Sequence, residues 1–167
     1  MLSWVAIIIG VIVALGLVIY VIGAMLPRAH VAQVEALIAA PPARVAALVR
    51  DVEAQPHWRE RVTAIEVVER RPDGLRYIER QGRDAILFDF AETVPDERFT
   101  GTIADPKLPF GGRWTWDIEA EGEGTRVRIV EDGEVKSPVF RFFAKFVFGH
   151  DATMRSYLAD LERAAAS

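Results

Sequence analysis

The 167-residue chain lacks cysteine and asparagine, and it has only three lysines beside 17 arginines. Without cysteine there is no disulfide, no thiolate metal ligand and no cysteine nucleophile. Without asparagine there is no N-glycosylation sequon. The net charge is −4, whereas nucleic-acid-binding proteins usually carry a strongly basic face. The composition therefore excludes a disulfide-stapled domain and argues against a nucleic-acid partner.

Charged side chains are also absent from residues 1–27, of which 22 are hydrophobic, so all 44 charged residues lie in residues 28–167. As a helix, the uncharged run at residues 4–26 covers roughly 34 Å, enough to cross a hydrocarbon core of about 30 Å. The alternative is a cleaved signal peptide, which needs a basic start, a shorter apolar run and a small-residue cleavage site. None of these is present. We therefore predict a transmembrane anchor at residues 1–27 and a soluble domain at residues 28–167.

Two further expectations concern this anchor, whose only partner by composition is a lipid bilayer reached through residues 4–26. Basic residues follow the run, beginning with Arg28, and the positive-inside rule then places the soluble domain in the cytoplasm. Ala6, Gly10 and Ala14 form a stripe of small residues. The stripe either packs two anchors together in a homodimer or reflects the small-residue content of single spans.

The soluble domain reads as short strands separated by turn signals. We predict strands at residues 30–38, 62–70, 75–80, 84–94, 99–104, 113–120 and 125–135. Two short helical segments lie between the first two strands. Residues 139–165 read as one long helix whose apolar positions recur at helical spacing: Val139, Phe143, Phe146, Val147, Met154, Tyr157 and Leu161. The pattern predicts an α+β fold, with an antiparallel sheet curled around the long helix.

Three strings in this order resemble a known family: ALIAAPPARVAALVRDVEAQPHW at residues 36–58, WTWDIE at 114–119, and FRFFAKFVFGHDATMRSYLADLE at 140–162. They resemble the START-like, or SRPBCC, superfamily, and within it the polyketide cyclase/dehydrase and lipid transport group. The resemblance implies a helix-grip fold, in which a seven-stranded antiparallel sheet wraps the last helix and leaves a cavity. It also implies binding of a lipid, quinone, sterol or polyketide, and a minority of the family's members are enzymes.

Strand alternation and helical spacing select the candidate ligand-binding residues, because they predict which side chains face the interior. The candidates are Phe88, Phe90, Glu92, Trp114, Trp116, Glu131, Phe143, Phe146 and His150. The aromatic side chains fit either a filled core or the wall of a hydrophobic cavity. Glu92, Glu131 and His150 either orient a ligand through a Glu–His contact or are two strand-end glutamates and a satisfied core histidine.

The sequence contains no catalytic signature, metal-ligand spacing or phosphate-binding glycine loop. We therefore predict no catalytic residue, no metal and no cofactor. The leading hypothesis is membrane-anchored binding or transport of a hydrophobic small molecule such as a lipid or a quinone. The alternatives are an enzyme of the cyclase or dehydratase type and a ligand-free scaffold module in a membrane complex.

The end of the domain that meets the anchor is the last expectation. If the first strand pairs antiparallel with the last, the anchor enters at the end that resembles the family's cavity mouth. That end also holds all three lysines, Lys107, Lys136 and Lys145, together with apolar residues such as Phe140. Basic and apolar side chains together suit a membrane interface, although they also fit an ordinary helix start packed on loops.

Overall fold

The computed structural model describes residues 2–149 and 151–167. The chain begins with a long apolar helix, α1 (Leu2–Met25). Within it, Trp4–Met25 is long and apolar enough to cross a membrane, with a mean hydropathy of 3.2, and nearly all of its side chains are exposed. A signal sequence would meet the same criterion of length and composition. The soluble part follows from residue 29.

Seven strands form one antiparallel sheet, as predicted. They are β1 (Ala29–Ile38), β2 (Ala64–Arg71), β3 (Gly74–Gln81), β4 (Asp84–Val94), β5 (Arg98–Ile103), β6 (Phe110–Glu121) and β7 (Gly124–Val135). Their order in the sheet is β1-β7-β6-β5-β4-β3-β2. Strand β1 pairs antiparallel with β7, with His30 opposite Gly133 and Ile38 opposite Thr125. The predicted pairing of first and last strands is therefore confirmed.

Two helices cover the inner face of the sheet and close the core. Helix α2 (Pro42–Arg50) has proline at its first position and buries Val45, Ala46 and Val49, which lie on one face at helical spacing. A 3₁₀ helix (Val52–His57) follows it. The last helix, α4 (Ala152–Ala165), packs against α2 and β1 and buries Met154 and Leu161 completely.

The predicted helix at residues 139–165 is wrong in one respect, because the structure breaks it into three pieces. Helix α3 (Pro138–Phe143) continues into a π-helical turn (Ala144–Phe148), and α4 begins only at Ala152. Gly149 has a φ of +75°, a conformation that glycine adopts without the steric cost of a side chain. The break turns the first half of the apolar stripe outward: Phe146 and Val147 are 59% and 60% exposed.

Helix α3 packs against α1 instead of against the core. The two helices approach closely at Gly23, where an added Cβ would lie 1.9 Å from the carbonyl oxygen of Pro138. Just beyond the end of α1, the carbonyl of Leu26 accepts a hydrogen bond from Nη1 of the buried Arg141 at 2.9 Å. The apolar helix is therefore joined to the rest of the protein through α3.

Candidate ligand-binding cavity

A cavity of about 400 Å³ lies between the inner face of the sheet and α4. Its apolar wall includes Ile86, Phe88, Phe90, Ile103, Trp114 and Trp116. Gly101 leaves room for the ring of Trp116, since an added Cβ at position 101 would lie 3.0 Å from that ring. At one end the lining includes Phe140 and Ala144, so the segment that packs against α1 also forms part of the cavity.

Five of the predicted ligand-binding residues line this cavity: Phe88, Phe90, Trp114, Trp116 and Glu131. The four aromatic residues alternate along β4 and β6, and they lie on the inner face of the sheet, which is the face that the alternation predicted. The ring of Trp116 packs edge to face against Trp114, with centroids 5.7 Å apart, and against Phe90, with centroids 6.2 Å apart. Such offset contacts are the favoured arrangement of aromatic rings.

Of the predicted ligand-binding residues in the C-terminal helical region, the two that the structure describes are not found at the cavity. Phe143 and Phe146 are not among the described lining residues, and Phe146 is largely exposed because the π-helical turn and the break at Gly149 redirect this segment. Phe140 and Ala144 lie at the cavity instead. His150 falls outside the residues that the structure describes.

Glu92 also lies away from the cavity, although it shares a strand face with Phe88 and Phe90. Its carboxylate accepts hydrogen bonds from Nε and Nη2 of Arg50 at 2.8 and 2.6 Å, and from the backbone N–H of Asp96 at 2.7 Å. The bonds from Arg50 lower the pKa of Glu92. Glu92 is thus paired with Arg50 at the end of β4 remote from α1. This placement matches the interpretation of Glu92 as a strand-end glutamate.

Glu131 has a histidine neighbour, but it is His30 on the adjacent strand. His30 Nε2 lies 3.4 Å from Glu131 Oε1. The imidazole occupies space that a side chain at Gly133 would fill, since an added Cβ there would come within 2.2 Å of the ring. Burial lowers the pKa of His30, so the neutral ring is favoured. The pair contributes polar atoms to the cavity lining near the start of β1.

A buried ion pair forms a second polar region of the cavity, which the sequence patterns did not reveal. Arg59 Nη1 donates to Glu79 Oε2 at 2.6 Å and to Gln55 Oε1 at 2.8 Å. Gln81 donates to the same carboxylate. Glu79 is 2% exposed and follows Tyr77 by two positions on β3. This spacing from Tyr77 could have indicated that Glu79 faces the interior. Its partner Arg59 could not be predicted, because Arg59 lies in a loop that only the fold brings close to β3.

Tyr157 of α4 lies beside this ion pair and lines the cavity. The guanidinium of Arg59 lies over its ring at 5.2 Å. Its buried hydroxyl has no hydrogen-bond partner among the described residues, and neither has Nε1 of the neighbouring Trp116. Burial raises the pKa of Tyr157, so the hydroxyl keeps its proton and remains a donor. The site thus combines an apolar wall with two unused donors.

The polar side chains of the cavity do not resemble the ligands of a metal centre. Within residues 2–149 and 151–167, no group of three or more His, Cys, Asp or Glu side chains is arranged to hold an ion. The Glu79 carboxylate is instead paired with Arg59.

A curled seven-stranded sheet around a helix, with a cavity between them, defines a START-like protein of the helix-grip type. The chain belongs to the family described as polyketide cyclase / dehydrase and lipid transport, whose model matches residues 29–166. Helix α1 lies outside the matched part. A comparison with curated proteins gave no match.

Solved structures agree on the fold. The chain is similar to TTHA0849 from Thermus thermophilus, with 28% identity over 82% of this chain and 97% of that one, and a TM-score of 0.65. A START superfamily protein from Mycobacterium smegmatis gives 20% identity, the same coverage and a TM-score of 0.65. The di-domain ARO/CYC BexL from the BE-7585A biosynthetic pathway gives a TM-score of 0.70 at 15% identity, over 87% of this chain and 53% of that one.

Proposed function

We propose that this protein is a membrane-anchored binding protein that holds a hydrophobic small molecule, of lipid or quinone type, in its internal cavity. The observation that carries the proposal is that one segment, α3 with its π-helical turn, both lines the cavity and packs against the apolar helix α1. A cavity for an apolar ligand thereby adjoins the element suited to the bilayer.

The size and lining of the cavity support binding over a scaffold role. Its volume of about 400 Å³ falls in the range of roughly 300–1,000 Å³ that is usual for small-molecule sites. Such sites are mostly apolar with a few polar groups, and here aromatic rings of β4 and β6 meet the polar groups of Arg59 and Tyr157. A scaffold that needs no ligand would gain stability by filling this space.

The contacts of α1 support a retained anchor over a removable signal sequence. Gly23 fits closely against Pro138, and Arg141 hydrogen-bonds the carbonyl of Leu26. Loss of α1 would leave the buried guanidinium of Arg141 without this acceptor, at a cost of about 1–3 kcal/mol. The bilayer is therefore the partner that we propose for residues 4–26.

The outer face of α3 and the π-helical turn supports a cavity mouth that faces the bilayer. Phe140, Phe146 and Val147 are more than half exposed, and Lys145 is exposed between them. This surface continues from the end of α1, where a membrane interface would lie. Apolar side chains would enter the acyl boundary while lysine contacts anionic headgroups. A ligand would then pass between bilayer and cavity without crossing water.

Two predictions about α1 stay predictions. A cytoplasmic domain follows from the positive-inside rule and Arg28. A homodimer would use the stripe of Ala6, Gly10 and Ala14, which lies on the exposed surface of the helix.

Native mass spectrometry of the full chain, purified in mild detergent, tests the proposal when combined with lipid extraction. Ile103→Trp adds bulk inside the cavity, and Val68→Trp adds the same side chain at an exposed position of β2 as a matched control. We expect one class of apolar molecule to co-purify with the wild type and with Val68→Trp, and to be lost from Ile103→Trp. Equal retention by all three proteins, or no bound molecule in any, would contradict the proposal.

A further inference from the structure

We propose that the part of the cavity beside the Arg59–Glu79 ion pair binds an uncharged oxygen acceptor of the ligand, such as a ketone, quinone or ester carbonyl, through the hydroxyl of Tyr157. This inference rests on the proposed function and specifies its ligand class. The proposed ligand is apolar over most of its length, carries an acceptor oxygen at one end and bears no negative charge.

The first argument is the unused donor. Tyr157 is 3% exposed, and its hydroxyl has no partner among the described residues. Leaving a buried polar group unpaired is costly, so most buried donors in native proteins have a partner. Trp116, whose ring centroid lies 5.7 Å from that of Tyr157, holds a second unpaired donor at Nε1. Two unpaired donors on adjacent rings of one cavity lining therefore favour a ligand that carries an acceptor oxygen.

The second argument is that the neighbouring positive charge is already neutralised. Both terminal nitrogens of Arg59 bond to the Glu79 carboxylate, at 2.6 and 3.3 Å. A ligand carboxylate would have to compete with Glu79, which is buried and would remain as an uncompensated charge. A carbonyl oxygen needs no such exchange.

The third argument is the sign of the charges around the cavity. Four of the described lining residues are carboxylates: Glu79, Asp84, Glu131 and Glu134. The lining cations are Arg59 and His30, and burial lowers the pKa of His30 and favours its neutral form. An anionic ligand would therefore enter a cavity whose surroundings repel it. A fatty acid anion or a phospholipid headgroup is disfavoured on this ground.

Carbon NMR can observe the proposed hydrogen bond directly. The probe is methyl nonyl ketone labelled at its carbonyl carbon, added to the full chain in lipid nanodiscs. A hydrogen-bonded carbonyl resonates downfield of the same ketone dissolved in lipid. We expect a downfield bound signal with the wild type, and its loss or upfield return in Tyr157→Phe. Tyr20→Phe makes the same chemical change on the exposed surface of α1 and should leave the signal unchanged.

Competition between probes of equal length tests the ligand class. By native mass spectrometry, we expect the wild type to retain methyl nonyl ketone about fivefold better than undecane and better than undecanoate, a ratio typical of one hydrogen bond. Tyr157→Phe should abolish the preference over undecane. If ketone, alkane and acid bind equally, or Tyr157→Phe changes nothing, this inference is overturned while the proposed function stands. If no probe binds, the proposed function fails and this inference with it.

Discussion

Arg141 Nη1 donates a hydrogen bond of 2.9 Å to the carbonyl oxygen of Leu26, although the two residues are 115 positions apart. The arginine is 7% exposed, so the bond links the start of the C-terminal region to the end of α1 in a solvent-shielded place. A cation is also well placed near a helix C-terminus, where the backbone dipole presents its negative end. This contact makes the position of α3 depend on α1.

Replacing Arg141 by alanine should destabilise the full chain. A hydrogen bond to a charged donor contributes about 1.5–3 kcal/mol, and we expect a loss of that size in the free energy of unfolding, measured by denaturant titration in mild detergent. The control is Arg155→Ala, which removes an exposed arginine paired with Asp151 one helical turn away. A surface pair of this kind contributes at most about 1 kcal/mol. Equal losses in both variants would contradict a special role for Arg141.

Gly23 should be intolerant of a side chain. A Cβ at this position would lie 1.9 Å from the Pro138 carbonyl oxygen, so Gly23→Ala must push α3 away from α1. Gly16 is the matched control, because it is in the same helix with nothing within 4 Å of its added Cβ. We expect hydrogen exchange of the α3 amides to rise in Gly23→Ala alone. Unchanged exchange in Gly23→Ala would show that the two helices do not pack as described.

The sequence predicted the strands better than it predicted the end of the chain. Alternation along β4 and β6 needs only local information, so Phe88 and Trp116 could be assigned to the inner face before the fold was known. The break at Gly149 could not be predicted, because apolar residues keep a helical spacing on both sides of it. Glu79 with Arg59 was missed because the pairing depends on how a loop meets β3, which no local pattern records.

Stability should fall with acidification through paired carboxylates, and Glu92 gives the clearest example. Its hydrogen bonds with Arg50 lower the pKa below the usual 4.5 in the folded protein. The resulting stabilisation is present above the unfolded-state value and disappears as the pH falls through the folded-state pKa. Because Arg50 is partly exposed, we expect Glu92→Gln to cost at most about 1 kcal/mol at neutral pH and nothing at strongly acidic pH.

Urea titrations across the pH range would measure this difference. Glu123→Gln, at an exposed turn residue, should leave the pH dependence unaltered. A penalty for Glu92→Gln that persists in strong acid would mean that the side chain acts through packing and not through its charge.

The π-helical turn should lie in the membrane interface, and the absence of cysteine makes this easy to examine. A single cysteine at position 146, from Phe146→Cys, can carry a polarity-sensitive bimane fluorophore. In nanodiscs we expect its emission to shift to shorter wavelength. A label at Glu123→Cys, at the opposite end of the sheet from α1, should show the emission of water. The same aqueous emission at both positions would contradict a membrane-facing mouth.

Transfer from the bilayer into the cavity is the central claim, and tryptophan quenching measures it most directly. Bromine quenches tryptophan only at close range, and Trp114 and Trp116 line the cavity. The full chain carrying Trp4→Phe, which removes the tryptophan of α1, would be reconstituted in nanodiscs with dibromostearic acid methyl ester or with its bromine-free counterpart. The account predicts marked quenching by the brominated ester. Equal fluorescence in the two membranes would show that the ester does not reach the cavity, and would contradict the account.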